Sequence, residues 1–474
     1  MTTDALPAPR LQRLLTSWDL IFYGLILIQP TASIPLFGVA QKLSNGHRSA
    51  FAALNRRLCT MQFLKVATLT VCIGASAVST AQNNAQLSQQ ASLGPLSEVI
   101  KPYIDRHELA GAVILVADRE RVIDREAIGY ADVARNKAMK PDDVFWIASM
   151  TKAITASAVM MLVDEGKIDL NDPVEKYLPE FKGQKVAPIL DDAPVPSLTQ
   201  AAGVSPKEST PSPFEAAAHP ITVREILSHT SGLSFSSKRE PGALDLLPLK
   251  SAVESYASEP LALQPGQQYR YSNEGFNTAG RIIEVVSGMP FETFLQKRLL
   301  DPLGMKDTTF WPSSEQLERL AKSYKSGSTG KDLRELPISQ LTYPLDARQH
   351  RFAIPAGGLF STADDLARFC RMMANNGVFE GRRYLSEESV RLMTTKETGP
   401  KVTKPYGFGW NVGDGTFEHS GAYKTDMEVD LNRGVIIIFL VQRADEWSEE
   451  DRKRLMDSFE QVAISNFGHR ISAQ

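Results

Sequence analysis

Cysteine is scarce, with three residues in 474. Cys59 and Cys72 lie near the N-terminus and Cys370 stands alone in the body, so no disulfide framework is expected. Seven histidines are scattered, with no His-x-x-x-His, and no Cys-x-x-Cys occurs. The common metal-ligand spacings are therefore missing, and neither a metal nor another cofactor is expected. Net charge is only −3, which gives no basic footprint, so nucleic acid is not expected as a partner. Gly-x-Ser-x-Gly is missing, which removes the nucleophile elbow of the α/β-hydrolases. No internal repeat is visible. What remains is ordinary globular composition, 43% hydrophobic and 23% charged, with length for one large α/β domain carrying insertions.

Three short words occur in one order: Ser149-Met150-Thr151-Lys152, Tyr271-Ser272-Asn273 and His419-Ser420-Gly421. Tyr-x-Asn and His-x-Gly occur once each, whereas Ser-x-x-Lys occurs twice. The first copy runs into AITASAVMMLVDEGK, a run of helix formers stopped by Gly166. On a helix, Ser149 and Lys152 are three apart and share a face. The start of a buried helix also offers unpaired N–H groups and a positive dipole, which suits an oxyanion. The second copy, Ser328 to Lys331, sits in the polar turn SYKSGSTGKD, where a lysine would stay solvated. Ser149 is therefore the candidate nucleophile. The plainer reading of Ser149 is a helix N-cap, which leaves the other two words unexplained.

The N-terminus has two layers. From Met61 the text MQFLKVATLTVCIGASAVSTAQ, preceded by Arg56 and Arg57, has the basic, apolar and small-residue order of a secretory signal peptide over residues 61–81. A periplasmic or secreted location is the expectation. Upstream, LIFYGLILIQPTASIPLFGVA is apolar and long enough to span a membrane, though Pro30 and Pro35 interrupt it. LLTSWDLIFYGLILIQP looks like the opening of an amino-acid permease. Residues 1–60 read as an extension ahead of a true start at Met61. Membrane anchoring is the alternative if they are genuine.

Residues 82–474 read as one domain. GAVILVADRERVIDREAIGYADV alternates around a charged turn, as a β-hairpin does. The stretch from Pro188 to Pro220 is rich in Pro, Ala and Ser and reads as an exposed, disordered insertion. TVREILSHT, GFNTAGRIIEVVSG and ADDLARFCRMMANNG carry helical apolar spacing, with Gly288 and Gly377 as stops. YGFGWNV, FEHSGAY, TDMEVDL and VIIIFLVQ read as strands, with Asn432-Arg433-Gly434 as a tight turn. EEDRKRLMDSFEQVAISNF is an amphipathic helix. Strands at both chain ends with helices between imply one antiparallel sheet joining the termini and a mostly helical lobe inserted in the middle.

These residues and their surroundings resemble the serine β-lactamase and penicillin-binding superfamily, in its class C-like branch. That branch includes family VIII carboxylesterases, D-aminopeptidases and D-Ala-D-Ala carboxypeptidases. The likeness runs from about Leu96 to the C-terminus, through FWIASMTKAITASAVMMLVDEGKIDLNDPVEKYLPEF, ITVREILSHTSGLS, YRYSNEGFNTAGRIIEVVSG and IPAGGLFSTADDLARF. It implies an α/β (α+β), β-lactamase/transpeptidase-like fold. It also implies roles: Ser149 as nucleophile, Lys152 as its base, and Tyr271 as proton shuttle to the leaving group and then the deacylating water. Asn273 would bond the Lys152 amine and a substrate amide or carbonyl. Ser420 and Gly421 would line the substrate, Gly421 by leaving it space, and the amides of Ala422 and Ser149 would form the oxyanion hole. In His229-Thr230-Ser231-Gly232 the resemblance implies a structural helix end capped by Gly232.

A serine hydroxyl needs a base, and a lysine serves only if its pKa falls well below about 10. SMTKAITASAVMM contains no acid to hold it up. Many lactamase and carboxypeptidase relatives carry lysine at the first position of the third word. Here it is His419, an imidazole largely neutral near pH 7 and a poor partner for a substrate carboxylate. The expectation is a serine hydrolase acting on a small-molecule ester, with no metal. Amide-directed D-aminopeptidase or carboxypeptidase activity, or weak lactamase activity, is the near alternative. A non-catalytic cell-wall-binding scaffold is the alternative of another class.

Overall fold

The strand Gly111–Ala117 reads GAVILVA and is buried at every position. Successive side chains point to opposite faces of a strand, and they feed two different cores. Ala112, Ile114 and Val116 pack with Ile100, Leu455 and Phe459 of the two terminal helices, Ser97–Asp105 and Glu449–Ile471. Val113, Leu115 and Ala117 face the larger core that carries the site. A strand covered on both faces is uniformly apolar rather than alternating. The computed structural model describes residues 95–187, 214–240, 242–327, 332–447 and 449–471.

Gly111–Ala117 pairs antiparallel with Val122–Asp132 on one side and with Val435–Leu440 on the other. Beyond Val435–Leu440 follow Asp426–Asp430, Thr416–Ser420 and Asn411–Val412, and beyond Val122–Asp132 lies Lys137–Ala138. The result is a seven-stranded antiparallel sheet built from both ends of the domain, as its patterning implies. Asn432-Arg433-Gly434 makes the expected turn, with Gly434 at φ 67°.

Between the two halves of the sheet runs a largely helical lobe. Its centre is the helix Thr151–Asp164, buried over twelve residues and therefore round its whole circumference. Asn273–Ser287 packs against it and ends at Gly288 in the left-handed region. Ala363–Ala374 starts on a Thr362 cap, whose hydroxyl accepts from the Asp365 N–H.

Two expectations are corrected here. The helix Val223–Leu227 opens with a Thr222/Glu225 capping box, but Gly232 does not close it. His229 takes the left-handed position at φ 60°, and the Thr230 N–H reaches back to the Glu225 carbonyl at 2.9 Å. Gly232 is needed for a different reason: a Cβ there would lie 2.1 Å from the Leu263 carbonyl oxygen. The other concerns residues 214–220, read as part of a disordered insertion. There Glu215–Ala216 pairs antiparallel with Lys185–Val186. Residues 188–213, the signal-peptide and permease-like segments, and the second Ser-x-x-Lys word at 328–331 lie outside the described residues. Among the described residues no helix is long and apolar enough to cross a membrane, and no group of three or more His, Cys, Asp or Glu could hold a metal.

Candidate active site

Phe145–Trp146 pairs with Phe360–Ser361, and the Ile147 N–H donates to the Leu359 carbonyl at 3.0 Å. The chain then turns through Ala148, which sits at φ 44° without being glycine. Such backbone strain concentrates at functional sites. Ser149 follows in a 3-10 turn, Ala148–Met150, which leads directly into the helix Thr151–Asp164. The helix N-cap is Met150 and no side chain caps it. Ser149 is therefore not a capping serine, and its half-buried hydroxyl is left for other work.

One turn on, Lys152 is 0% exposed. Its Nζ lies 2.7 Å from Asn273 Oδ1, 2.7 Å from the Ala356 carbonyl oxygen and 3.2 Å from Ser149 Oγ. Burial holds the amine pKa well below its ordinary value. A neutral amine has two N–H bonds and one lone pair. Asn273 and Ala356 take the two protons, and the lone pair is left for the Ser149 hydroxyl. That is the arrangement a general base requires.

Tyr271 approaches from the other side. Nζ of Lys152 lies 4.7 Å from its ring centroid. Burial pushes the phenol pKa well up, and a hydrogen bond with Ser149 works in the opposite direction. The phenol is neutral at physiological pH and can only donate its proton to an oxygen more basic than itself. Ser272 is the N-cap of Asn273–Ser287, its hydroxyl accepting from the Gly275 N–H at 3.0 Å and donating to the Ser234 carbonyl at 2.6 Å. Tyr271 thus immediately precedes the N-cap of a helix, and Asn273 is the first residue in it.

Two residues given no part in the site stand behind Tyr271. The His229 ring packs against it at 4.4 Å between centroids, tilted by 36°, and its Nδ1 accepts from the Ser272 N–H at 3.0 Å. Burial lowers the His229 pKa, with the nearby Lys152 adding to the effect, so the ring stays neutral. Phe235 stacks on Tyr271 at 6.2 Å and is 39% exposed, which makes it part of the mouth. Its local sequence gave no signal, since a lone Phe after Gly-Leu-Ser has no periodic partner.

The third word lies at the end of the strand Thr416–Ser420. His419 is 3% exposed, its ring centroid 6.4 Å from that of Tyr271. Its Nδ1 lies 2.9 Å from the Ser420 carbonyl oxygen. Burial, then Lys152, bring its pKa down to about 3, so it carries no charge at neutral pH. Gly421 also has a packing reason of its own. A Cβ there would lie 2.7 Å from the Ile147 carbonyl oxygen and 2.1 Å from Thr425 Oγ1. The glycine lets this strand end press onto the chain two residues ahead of Ser149. Ser420 is half-buried and Ala422 is exposed.

The structure thus brings Ser149, Lys152, Tyr271 and Asn273 into contact range, with the third word alongside. Residues 96–461 match the Beta-lactamase family model. The chain belongs to the β-lactamase family. Protein Rv1367c of Mycobacterium tuberculosis is 33% identical over 382 residues, covering 74% of this chain and 90% of that protein. Esterase EstB of Burkholderia gladioli is 26% identical over 391 residues, with coverage of 74% and 90%. The D-alanyl-D-alanine-carboxypeptidase/endopeptidase AmpH of Escherichia coli is 25% identical over 323 residues, covering 66% and 69%. Among solved structures, the LovD6 mutant of simvastatin synthase from Aspergillus terreus superposes with a TM-score of 0.62 at 21% identity, over 79% of this chain and 97% of that one. EstCE1, a hydrolase with promiscuous acyltransferase activity, gives 0.60 at 22%, over 78% and 97%. At these identities the superpositions speak for the fold alone, which is β-lactamase/transpeptidase-like. The family supports a serine hydrolase with both esterase and peptidase relatives.

Proposed function

We propose that this β-lactamase-family hydrolase is a carboxylesterase for small esters that carry no carboxylate beside the scissile bond. The carrying observation is His419, a buried and uncharged ring at the position where a fixed cation would recognise such a carboxylate. The relationship to an esterase over 90% of its length supports the same reading.

Lys152 Nζ takes the Ser149 proton as Oγ attacks the ester carbonyl, forming the Oγ–C bond and an oxyanion. The Ser149 and Ala422 amides are the donors for that oxyanion. As the C–O bond to the leaving group breaks, Tyr271 gives the alkoxide its proton, and the Lys152 ammonium restores the phenol. Water then retraces the path: its proton passes by Tyr271 to Lys152, its oxygen attacks the acyl carbon, and Ser149 Oγ leaves with a proton from Lys152. The signal-peptide pattern at 61–81 supports action outside the cytoplasm, and N-terminal sequencing of the mature protein tests that.

The testing experiment is turnover of a p-nitrophenyl ester series beside nitrocefin, on protein starting at Gln82, with Ser149→Ala as control. Ester turnover that vanishes in S149A, with little nitrocefin cleavage, is the expected result. Strong nitrocefin cleavage overturns the role of His419. A folded protein that turns over neither favours a narrow D-amino-acid peptidase or a non-catalytic scaffold.

A further inference from the structure

The Ala356 carbonyl that accepts from Lys152 is itself held by a chain of buried polar side chains outside the three catalytic words. Asn277 Oδ1 accepts from the Ala356 N–H at 3.1 Å. Asn277 Nδ2 donates to the Tyr256 hydroxyl oxygen at 3.0 Å, and that hydroxyl donates to Glu240 Oε2 at 2.8 Å. Asn277 is 5% exposed, Tyr256 1% and Glu240 4%. Burial raises the Glu240 pKa and the bond from Tyr256 opposes that rise; in its ionised form the carboxylate can only accept. Glu240 therefore fixes the Tyr256 proton, Tyr256 fixes the flip of Asn277, and Asn277 fixes the Ala356 peptide.

Neighbouring atoms lock the same strip. Thr155 Oγ1, one turn beyond Lys152, donates to the Pro355 carbonyl at 2.8 Å. Trp146 Nε1 donates to the Gly357 carbonyl at 2.9 Å. A Cβ at Gly280 would strike Pro355 Cγ at 2.2 Å. Asn273, Asn277 and Gly280 lie four and three residues apart, on one face of one helix. That face grips Lys152 twice, directly through Asn273 and indirectly through Asn277 and Ala356.

We infer that Asn277, Tyr256 and Glu240 are positioning residues, whose work is to hold the Ala356 carbonyl as the acceptor for Lys152. The inference rests on Lys152 as the base of the proposed hydrolase. A carbonyl acceptor favours ammonium over amine, because a charged donor bonds more strongly. It therefore stabilises the cation that Lys152 becomes when it takes the serine proton. The other titratable groups facing the amine are Tyr271, His229 and His419, all neutral. Among the described residues the amine bonds only Asn273, Ala356 and Ser149, so no carboxylate takes over this role.

The test is the protonation midpoint of Lys152, read by 13C NMR of its side chain, in wild type, Asn277→Leu and Tyr256→Phe. The Lys152→Met protein identifies the resonance. In Asn277→Leu the midpoint should fall by about one pH unit, a tenfold change. Tyr256→Phe, the milder change, should move it in the same direction by less. The pH at which a fluorophosphonate begins to label Ser149 should fall with it. Folded variants whose midpoint stays in place overturn the inference, and a purely structural role would lower thermal stability without moving it. A midpoint that shifts while wild-type Ser149 resists labelling upholds the positioning chain and overturns the hydrolase reading instead.

Discussion

Replacing Lys152 by methionine tests the protonation state on which the whole mechanism depends. The side chain is fully buried and its pKa lies well below the ordinary value. In the unfolded chain the same amine titrates at about 10.4. Between those two values the unfolded chain binds one proton more than the folded chain, so stability rises with pH across that window. Above the unfolded pKa the contribution is complete, and below the folded pKa it no longer changes. The slope for one such group is about 1.4 kcal/mol per pH unit. Over each two pH units inside that window, wild type should gain roughly 3 kcal/mol on K152M in urea unfolding. The methionine also strips Asn273 Oδ1 and Ala356 O of their donor, at a cost of about 1–3 kcal/mol each. That offset does not vary with pH and so separates from the slope. Tyr256, Tyr269, Tyr271 and Tyr406, whose pKa values are raised, are common to both proteins and cancel. A wild-type-minus-variant difference that is flat across this range means the native amine is charged, and a charged amine cannot be the base.

Tyr271→Phe should lower kcat by roughly 10²–10⁴ with little loss of stability. The deficit should be smaller for p-nitrophenyl than for alkyl esters, because nitrophenolate needs no proton to leave; equal losses refute the leaving-group role. Gly421→Ala should destabilise by about 1–3 kcal/mol in thermal unfolding, since the new Cβ meets the Ile147 carbonyl. Adding Thr425→Ala should leave most of that loss, because the backbone clash remains, and full rescue refutes this account. His419→Lys should raise nitrocefin turnover relative to ester turnover by about tenfold, the worth of one charged hydrogen bond. An unchanged ratio removes His419 from substrate selection.

The sheet was legible because its central strands are short, wholly apolar runs: GAVILVA and VIIIFL are each buried at every position. Ser149 and Lys152 were legible because one helical turn separates them. Their partners were harder to read for a physical reason. Gly421 is required by the Ile147 carbonyl, which lies more than 270 residues away in the chain, and no local pattern announces a long-range clash. His229 occupies a left-handed position that sequence statistics assign to glycine. It is tolerated there because the same residue gives Ser272 its acceptor and Tyr271 a packing face. Asn277 is the intermediate case. Its spacing of four from Asn273 is visible in NEGFN, and two buried amides on one face of a helix form a polar patch that must be satisfied. What the spacing does not contain is the partner, because the peptide that satisfies Asn277 belongs to IPAGG, 79 residues on. The catalytic words are thus local, while the elements that set the protonation of Lys152 are joined only by the fold.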